Sequence, residues 1–177
     1  VYNPARVSGL VTGAKYVINL IGRLNEKGDN GEGFRRTHVE LTKTIFEACV
    51  KANVPRYLHM SALNAEPFAP SYYLRTKGEA EKFVLESSGS KMDATIFRPS
   101  IIFGPRDNFF NRVASLLNIA VGGLPLACAH TKFQPVYVGD VAAAFIVALD
   151  DKACFGERYD LGGPGVKSLL ELVRYTK

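Results

Sequence analysis

One pair of residues in this 177-residue sequence has the types and the spacing for proton-transfer chemistry. Tyr73 is followed four positions later by Lys77 in a stretch of helical character, so both side chains lie on one helix face, one turn apart. A nearby ammonium favours the phenolate, which predicts a pKa for Tyr73 nearer neutrality and proton exchange with a substrate hydroxyl or carbonyl. The alternative is a pair that only covers a solvated helix surface.

The surrounding pattern predicts alternating strands and helices that would position this pair. Strand-like apolar segments lie at residues 15–22, 56–61 and 94–98, and helical periodicity lies between them at residues 34–52 and about 71–86. Connections that contain helices predict right-handed parallel crossovers. The fold class is therefore α/β, a Rossmann-like doubly wound parallel sheet, in a single domain over residues 1–177. Ser61 would end the second strand, at the carboxyl edge where such sheets bind ligands.

The C-terminal third continues with shorter elements. A helix is expected at residues 108–118, a turn at 122–125, a strand at 132–138, a helix at 141–149 and a late strand at 157–161, and Ser168 is expected to cap a final helix ending at Tyr175. Asp140 is expected to be the N-cap of the helix at 141–149, and a functional carboxylate is the alternative.

Composition excludes several classes of function. With 47% hydrophobic and 22% charged residues and a net charge of +5 without basic tracts, the chain has the balance of a globular protein and no signal for nucleic acid. The three cysteines are far apart, which argues against a disulfide framework. Cys128 and His130 are the only close pair with ligand chemistry, so no metal site is expected. No apolar run is long enough to span a bilayer.

The chain lacks the glycine-rich fingerprint that holds a pyrophosphate. Gly9 and Gly13 precede a strand and do not open a helix, and the spacing in the segment from Gly162 to Ser168 does not match a phosphate-binding loop. The first strand would also be an exposed apolar edge. We therefore expect the real polypeptide to be longer, or the missing half of the fold to come from elsewhere.

Four motifs in order carry a family resemblance: Tyr-Leu-His-Met-Ser61-Ala-Leu, then Tyr73-Leu-Arg-Thr-Lys77 with Gly-Glu-Ala-Glu81, then Phe-Arg98-Pro-Ser-Ile-Ile-Phe-Gly104, then Gln134-Pro-Val-Tyr-Val-Gly-Asp140-Val-Ala. Together they resemble the short-chain dehydrogenase/reductase superfamily over nearly the whole chain. They look most like its atypical, epimerase/dehydratase-like branch, which contains the nucleotide-binding accessory subunit of respiratory complex I. The resemblance implies that the first strands and the Gly-rich loop of the family fold are missing here.

The resemblance also implies roles for individual residues. Tyr73 would be the general acid/base, Lys77 would lower its pKa and bind the nicotinamide ribose, and Ser61 would hydrogen-bond the reacting oxygen. Tyr73 and Lys77 would contact the cofactor. Two segments would border it, with Asn19, Leu20, Ile21 and Gly22 on the ribose side and Pro99, Ser100, Ile101 and Ile102 on the nicotinamide side. The superfamily often has an asparagine near the position of His38, and whether His38 takes over its part in proton relay stays open.

Three functions follow from the resemblance. The first is an NAD(P)-dependent oxidoreductase or sugar-nucleotide epimerase/dehydratase with an unidentified small-molecule substrate. The second is a non-catalytic accessory or assembly subunit of complex I that binds NADPH and meets a respiratory or quinone-associated partner. A structural domain without a ligand is the third. A bacterial protein would be cytoplasmic, with a place at the periphery of the inner membrane as the alternative, and a eukaryotic one would lie in the mitochondrial matrix.

Overall fold

A computed structural model describes residues 3–107, 109–119 and 126–176. The chain divides into two compact units, Val1–Arg98 with Phe145–Asp160 and Pro99–Ala144 with Leu161–Lys177. The expectation of one domain over residues 1–177 stays a prediction.

The first unit alternates helices and strands. Its elements are α1 (Pro4–Val11), β1 (Tyr16–Asn19), α2 (Glu32–Arg35), a π-helical segment (Arg36–Glu40), α3 (Leu41–Lys51), β2 (Arg56–Met60), α4 (Tyr72–Ser87), β3 (Asp93–Pro99), a 3₁₀ turn (Lys152–Cys154) and β7 (Arg158–Leu161). Helix α1 was not predicted from the sequence. It begins with an Asn3 side chain that accepts from the Ala5 amide and has Pro4 in its first turn, both standard signals of a helix start.

Four strands form the main sheet in the order β1-β2-β3-β7. Strands β1, β2 and β3 are parallel, with Val17 beside Tyr57 and Tyr57 beside Ala94, as the alternation of strands and helices predicted. One sheet face is covered by a core in which α1, α3 and α4 contribute side chains, and its buried members include Val7, Phe46, Cys49, Tyr57, Val84 and Ile96. Because consecutive strands are joined by helices, their carboxyl ends lie at one edge, where β1 and β2 give way to loops.

The second unit contains shorter elements. These are β4 (Ile102–Phe103), α5 (Phe110–Ile119), β5 (Lys132–Phe133), β6 (Val136–Tyr137), α6 (Val138–Ala148, whose last residues belong to the first unit), β8 (Lys167–Ser168) and α7 (Leu169–Thr176). Strand β4 pairs with β6 in parallel, and β5 pairs with β8 in antiparallel. Ser168 accepts from the Glu171 amide while Glu171 accepts from the Ser168 amide, so the predicted cap of the last helix is a complete capping box.

Two expectations for this part of the chain need comment. Asp140 is not an N-cap, because the helix begins at Val138 and Asp140 lies in its first turn; a carboxylate there still faces the positive end of the helix dipole. The turn predicted at residues 122–125 and the helix start predicted at Asn108 lie outside the described residues.

Within the described ranges, no helix combines the length and the apolar character needed to cross a bilayer.

Candidate functional site

Helix α4 places three ionisable side chains on one face. Ser71 caps the helix by accepting from the Leu74 amide at 3.2 Å, which fixes the first turn and hence the direction of the residues that follow. Tyr73, Lys77 and Glu81 recur at intervals of four residues, so they form a row along the helix. The row lies over the loops that follow β1 and β2.

Lys77 is buried in this row, with only 4% of its surface exposed. Its Nζ donates a hydrogen bond to the carbonyl oxygen of Met60, the last residue of β2, at 3.0 Å. Gly22, in the loop after β1, approaches from the other side: a Cβ added there would lie 3.3 Å from Nζ. The ammonium therefore sits between the ends of two neighbouring strands, and the alternative of a solvated helix-surface pair is wrong for Lys77.

Burial lowers the pKa of Lys77 from 10.5 to about 8, and the nearby Glu81 carboxylate opposes that shift. Lys77 is thus mainly protonated at neutral pH. An ammonium has three N–H donors and one is directed at Met60, so two can serve a ligand.

Tyr73 is half-buried against two aromatic rings. Its ring contacts Phe34 and His38 edge to face, with centroids 6.0 and 5.4 Å apart. Burial raises the pKa of its phenol above 10.0. The sequence-based expectation that Lys77 brings this pKa towards neutrality is therefore wrong, because removal of water by Phe34 and His38 dominates.

Ser61 is held by a carboxylate. Its hydroxyl donates a hydrogen bond to Glu81, and both side chains are buried. Its backbone amide donates to the Phe97 carbonyl at 2.7 Å, which fixes the residue between β2 and β3. The structure thus brings Ser61 together with Glu81, one turn beyond Lys77, and no contact in the described part of the chain joins Ser61 to Tyr73.

Glu81 is the centre of a charge cluster that sequence reasoning did not assign. Arg98 Nε lies 3.3 Å from one of its oxygens, and Arg158 Nη1 lies 3.4 Å from the other. Arg98 is also paired with Glu66 and Asp160, at 3.3 and 3.4 Å. Burial raises the pKa of Glu81, while Ser61 and the two arginines oppose this shift. The spacing of Glu81 from Lys77 was visible in the sequence, but its partners come from other elements.

Asn19 ends β1 and is buried, whereas Leu20, Ile21 and Gly22 are exposed beyond it. The Asn19 carbonyl oxygen Oδ1 accepts from the Ile21 amide at 3.1 Å and shapes the turn. Its Nδ2 donates to the Tyr57 hydroxyl at 2.9 Å and lies 3.4 Å from His59 Nδ1. Asn19 is therefore occupied by structural contacts, and the exposed segment after it is what a ligand can reach.

His59 carries an unusual buried group. It is fully enclosed, and its Nε2 has no hydrogen-bond partner in the described part of the chain. Burial, with smaller contributions from Lys77 and His38, lowers the pKa of His59 to about 3, so the ring is neutral at physiological pH.

The segment Pro99–Ile102 belongs to the second unit. Pro99 is the last residue of β3 and is buried. The Ser100 amide donates to the Leu161 carbonyl at 2.9 Å, and its hydroxyl accepts from the Gln134 amide at 3.3 Å. Ile102 pairs with Val136 in the short sheet of β4 and β6. Its predicted place beside a nicotinamide stays a prediction.

The described residues contain no group of three or more histidines, cysteines or acidic residues placed to hold a metal ion.

The fold and site define a class of protein. The parallel α/β sheet with its helices is the fold of solved epimerases and dehydratases that bind NAD. The chain superposes on MoeE5 in complex with UDP-glucuronic acid and NAD with a TM-score of 0.85 at 19% identity, covering 99% of this chain and 65% of that one. It superposes on the UDP-glucuronic acid 4-epimerase of Bacillus cereus with a TM-score of 0.83 at 19% identity, covering 96% and 60%.

The chain belongs to the 3-beta hydroxysteroid dehydrogenase/isomerase family, whose model matches residues 1–153. It is 38% identical over 168 residues to the mitochondrial NADH dehydrogenase (ubiquinone) 1 alpha subcomplex subunit 9 of Arabidopsis thaliana, covering 94% of this chain and 40% of the relative. It is 30% identical over 170 residues to the mitochondrial 40 kDa subunit of NADH-ubiquinone oxidoreductase of Neurospora crassa, covering 96% and 43%. These matches confirm the family resemblance read from the four motifs, and the chain spans about two-fifths of the length of these relatives.

The residues present fit the nicotinamide-ribose half of a nicotinamide dinucleotide. Lys77 offers free N–H donors beside the ends of β1 and β2, and the missing side chain of Gly22 leaves the approach open. A ribose hydroxyl is a suitable acceptor for such donors. The described residues offer no glycine-rich strand-to-helix turn for the pyrophosphate.

Proposed function

We propose that the polypeptide containing this chain binds NADPH at the carboxyl ends of β1 and β2, as a non-catalytic accessory subunit of a respiratory complex I. The hydrogen bond from Ser61 to Glu81 carries this proposal. A serine that assists proton transfer directs its hydroxyl to the reacting oxygen, and here a buried carboxylate accepts the hydrogen bond of that hydroxyl instead. The similarity to complex I subunits supports the same conclusion.

The residue assigned to cofactor binding is Lys77. Its ammonium is fixed by Met60 and has donors left for ribose hydroxyls, which requires no proton transfer. Holding a positive charge in a dry site costs stability, and a ligand that accepts its hydrogen bonds repays part of that cost. In a eukaryote this function places the protein in the mitochondrial matrix, and in a bacterium in the cytoplasm beside the inner membrane.

An NAD(P)-dependent oxidoreductase or epimerase is the second candidate. The observation that favours it is the row of Tyr73 and Lys77 on one face of α4. In that case Tyr73 transfers the proton while the bound nicotinamide supplies the hydride. The raised pKa of Tyr73 makes it a proton donor and a poor base at neutral pH.

Binding and turnover measured on the full-length polypeptide test both candidates. We expect NADPH to bind, Lys77→Met to weaken binding by about tenfold or more because charge-assisted hydrogen bonds are lost, and Tyr73→Phe to leave affinity unchanged. Lys82→Met is the matched control, because Lys82 lies on the same helix but is exposed and paired with Glu86.

The outcome separates the candidates. Equal NADPH affinity of wild type and Lys77→Met, measured by calorimetry, would contradict the proposed binding role of Lys77. Turnover of a carbonyl compound or a sugar nucleotide by wild type, abolished by Tyr73→Phe, would establish the enzyme instead.

A further inference from the structure

His38 is a buried side chain to which the proposed function gives no role. It lies in the π-helical segment Arg36–Glu40 and is 1% exposed. Its Nε2 is 3.1 Å from the backbone nitrogen of Arg23, in the loop after β1, and its Nδ1 is 2.9 Å from Thr76 Oγ1, on α4. One imidazole therefore joins that loop to the helix that carries Tyr73 and Lys77.

Both ring nitrogens of His38 have hydrogen-bond partners. The Thr76 hydroxyl lies 2.7 Å from the Tyr72 carbonyl, to which it can donate, and its oxygen then accepts from His38 Nδ1–H. Nε2 lies 3.1 Å from both the amide nitrogen and the carbonyl oxygen of Arg23, so the ring can bond the Arg23 backbone in either tautomer. Burial lowers the pKa of His38 to about 4, so this neutral ring persists at pH 7. Both nitrogens are thus used between backbone and Thr76, and the ring meets Tyr73 only through an edge contact.

The loop tied by His38 is packed on the N-terminal half of α4. A Cβ on Gly31 would lie 2.5 Å from the Tyr72 ring, so that ring rests on the Gly31 backbone. The Glu26 carboxylate accepts from the amides of Gly31 and Gly33 at 2.9 Å and closes the loop on itself. Gly22, at the start of the loop, approaches Lys77 Nζ.

We propose that His38 is a positioning residue, which fixes the loop of residues 20–31 through the Arg23 backbone and so keeps the binding surface beside Lys77 preorganised. This inference rests on the proposed binding of NADPH. A loop that is already ordered loses less conformational entropy when a ligand binds, so the tether increases affinity without touching the ligand. In this role His38 is a structural bridge between the loop and α4, which requires no proton relay.

Three substitutions in the full-length polypeptide separate the two ring nitrogens. His38→Gln places an amide oxygen near the position of Nε2 and can keep the bond to Arg23. His38→Asn places its amide near Nδ1 and can keep only the bond to Thr76. His38→Leu keeps neither bond at similar volume. The readouts are NADPH affinity by calorimetry and amide hydrogen exchange in residues 20–31.

We expect His38→Leu and His38→Asn to weaken NADPH binding by about tenfold, as for the loss of one buried hydrogen bond, and to speed exchange in residues 20–31. His38→Gln should restore both towards wild type. Unchanged exchange and affinity in His38→Leu, or equal behaviour of the Gln and Asn variants, would overturn the inference.

A second pair of variants covers the case in which substitutions at His38 fail to fold. Thr76→Val removes the hydroxyl that orients the ring, and Thr76→Ser keeps it. Faster exchange in Thr76→Val than in Thr76→Ser supports the tether, and equal exchange contradicts it. If wild type itself does not bind NADPH, the proposed function fails, while the exchange comparison still decides whether His38 holds the loop.

Discussion

Lys77 carries a buried charge whose burial opposes folding. Its folded pKa of about 8 lies below the ordinary 10.5, so the folded protein disfavours the protonated side chain. The cost is present in full below pH 8 and disappears as pH rises from about 8 to 10.5, where the unfolded chain still binds the proton. Residues that serve ligands are frequently unfavourable for stability in this way.

We therefore expect Lys77→Met to raise the free energy of unfolding at pH 7 by about 1–2 kcal/mol, since removal of the desolvated charge outweighs the lost hydrogen bond to Met60. In wild type the free energy of unfolding should rise between pH 8 and 10.5, and the variant should lack that rise. Urea titrations of the full-length polypeptide at pH 7 and pH 10 check this. Lys82→Met is the control, and a Lys77→Met protein less stable than wild type at pH 7 would contradict the account.

At the residue scale, the sequence selected candidate side chains but could not predict their surroundings. Spacing on one helix was enough to select Tyr73 and Lys77. The pKa of Tyr73 depends on Phe34 and His38, which come from a distant helix, and the partner of Ser61 depends on how α4 docks on β2. Such contacts are set by tertiary packing, which local periodicity does not encode.

At the scale of elements, the long helix over residues 32–51 departs from regular geometry where it meets the site. The sequence predicted one helix at 34–52, and the structure has a π-helical turn within it at Arg36–Glu40. Thr37, His38 and Val39 are all buried, although three consecutive residues of an α-helix cannot all share one face. The widened turn resolves this conflict and directs His38 inward, in keeping with the frequent occurrence of such turns at functional sites.

Helix α4 is held close to the loop after β2 at a glycine. A Cβ on Gly78 would lie 2.3 to 2.6 Å from backbone atoms of Glu66, so a side chain forces the helix and loop apart. We expect Gly78→Ala to destabilise the protein by about 1–3 kcal/mol despite the better helix propensity of alanine.

The matched control for this element is Gly9→Ala in α1, where an added Cβ meets no atom within 4 Å. There the same substitution should stabilise by about 0.5–1 kcal/mol. Thermal or urea unfolding of the two variants measures the difference. If Gly78→Ala is as stable as Gly9→Ala, the close docking of α4 is not what holds this helix in place.

At the scale of the whole molecule, two buried histidines make stability depend on acid. The pKa values of His38 and His59 are about 4 and 3 in the folded protein, against an ordinary 6.5. Both groups therefore contribute stability that is present above pH 6.5 and is lost as pH falls towards 4, because the unfolded chain binds protons that the folded one does not.

Lowering the pH from 7 to 5 should reduce the free energy of unfolding by about 2 kcal/mol for each of these histidines. His59→Phe should remove the part of this acid sensitivity that is due to His59. Phenylalanine keeps an uncharged ring stacked on Tyr57 but has no group that titrates. Unfolding free energies of both proteins at pH 7 and pH 5 test this. An equal loss in wild type and His59→Phe would show that His59 is not the source.

The parallel direction of the main strands followed from the sequence, because a parallel sheet buried between helices leaves near-continuous apolar runs separated by helical periods. Helix α1 and the exact start of α6 did not. Helix α1 has start signals at Asn3 and Pro4 but is only 8 residues long, and it packs against α3. The start of α6 was misplaced because an acidic residue in a first turn resembles an N-cap in sequence.

Cys49 lies in the centre of the core between α3 and the sheet, with no exposed surface. Burial raises the pKa of its thiol to about 11, so the side chain is neither accessible nor ionised while the core is intact. A thiol reagent can modify it only when that core opens. The rate of Cys49 modification therefore reports how often the core opens. An equilibrium measurement of stability does not give that frequency.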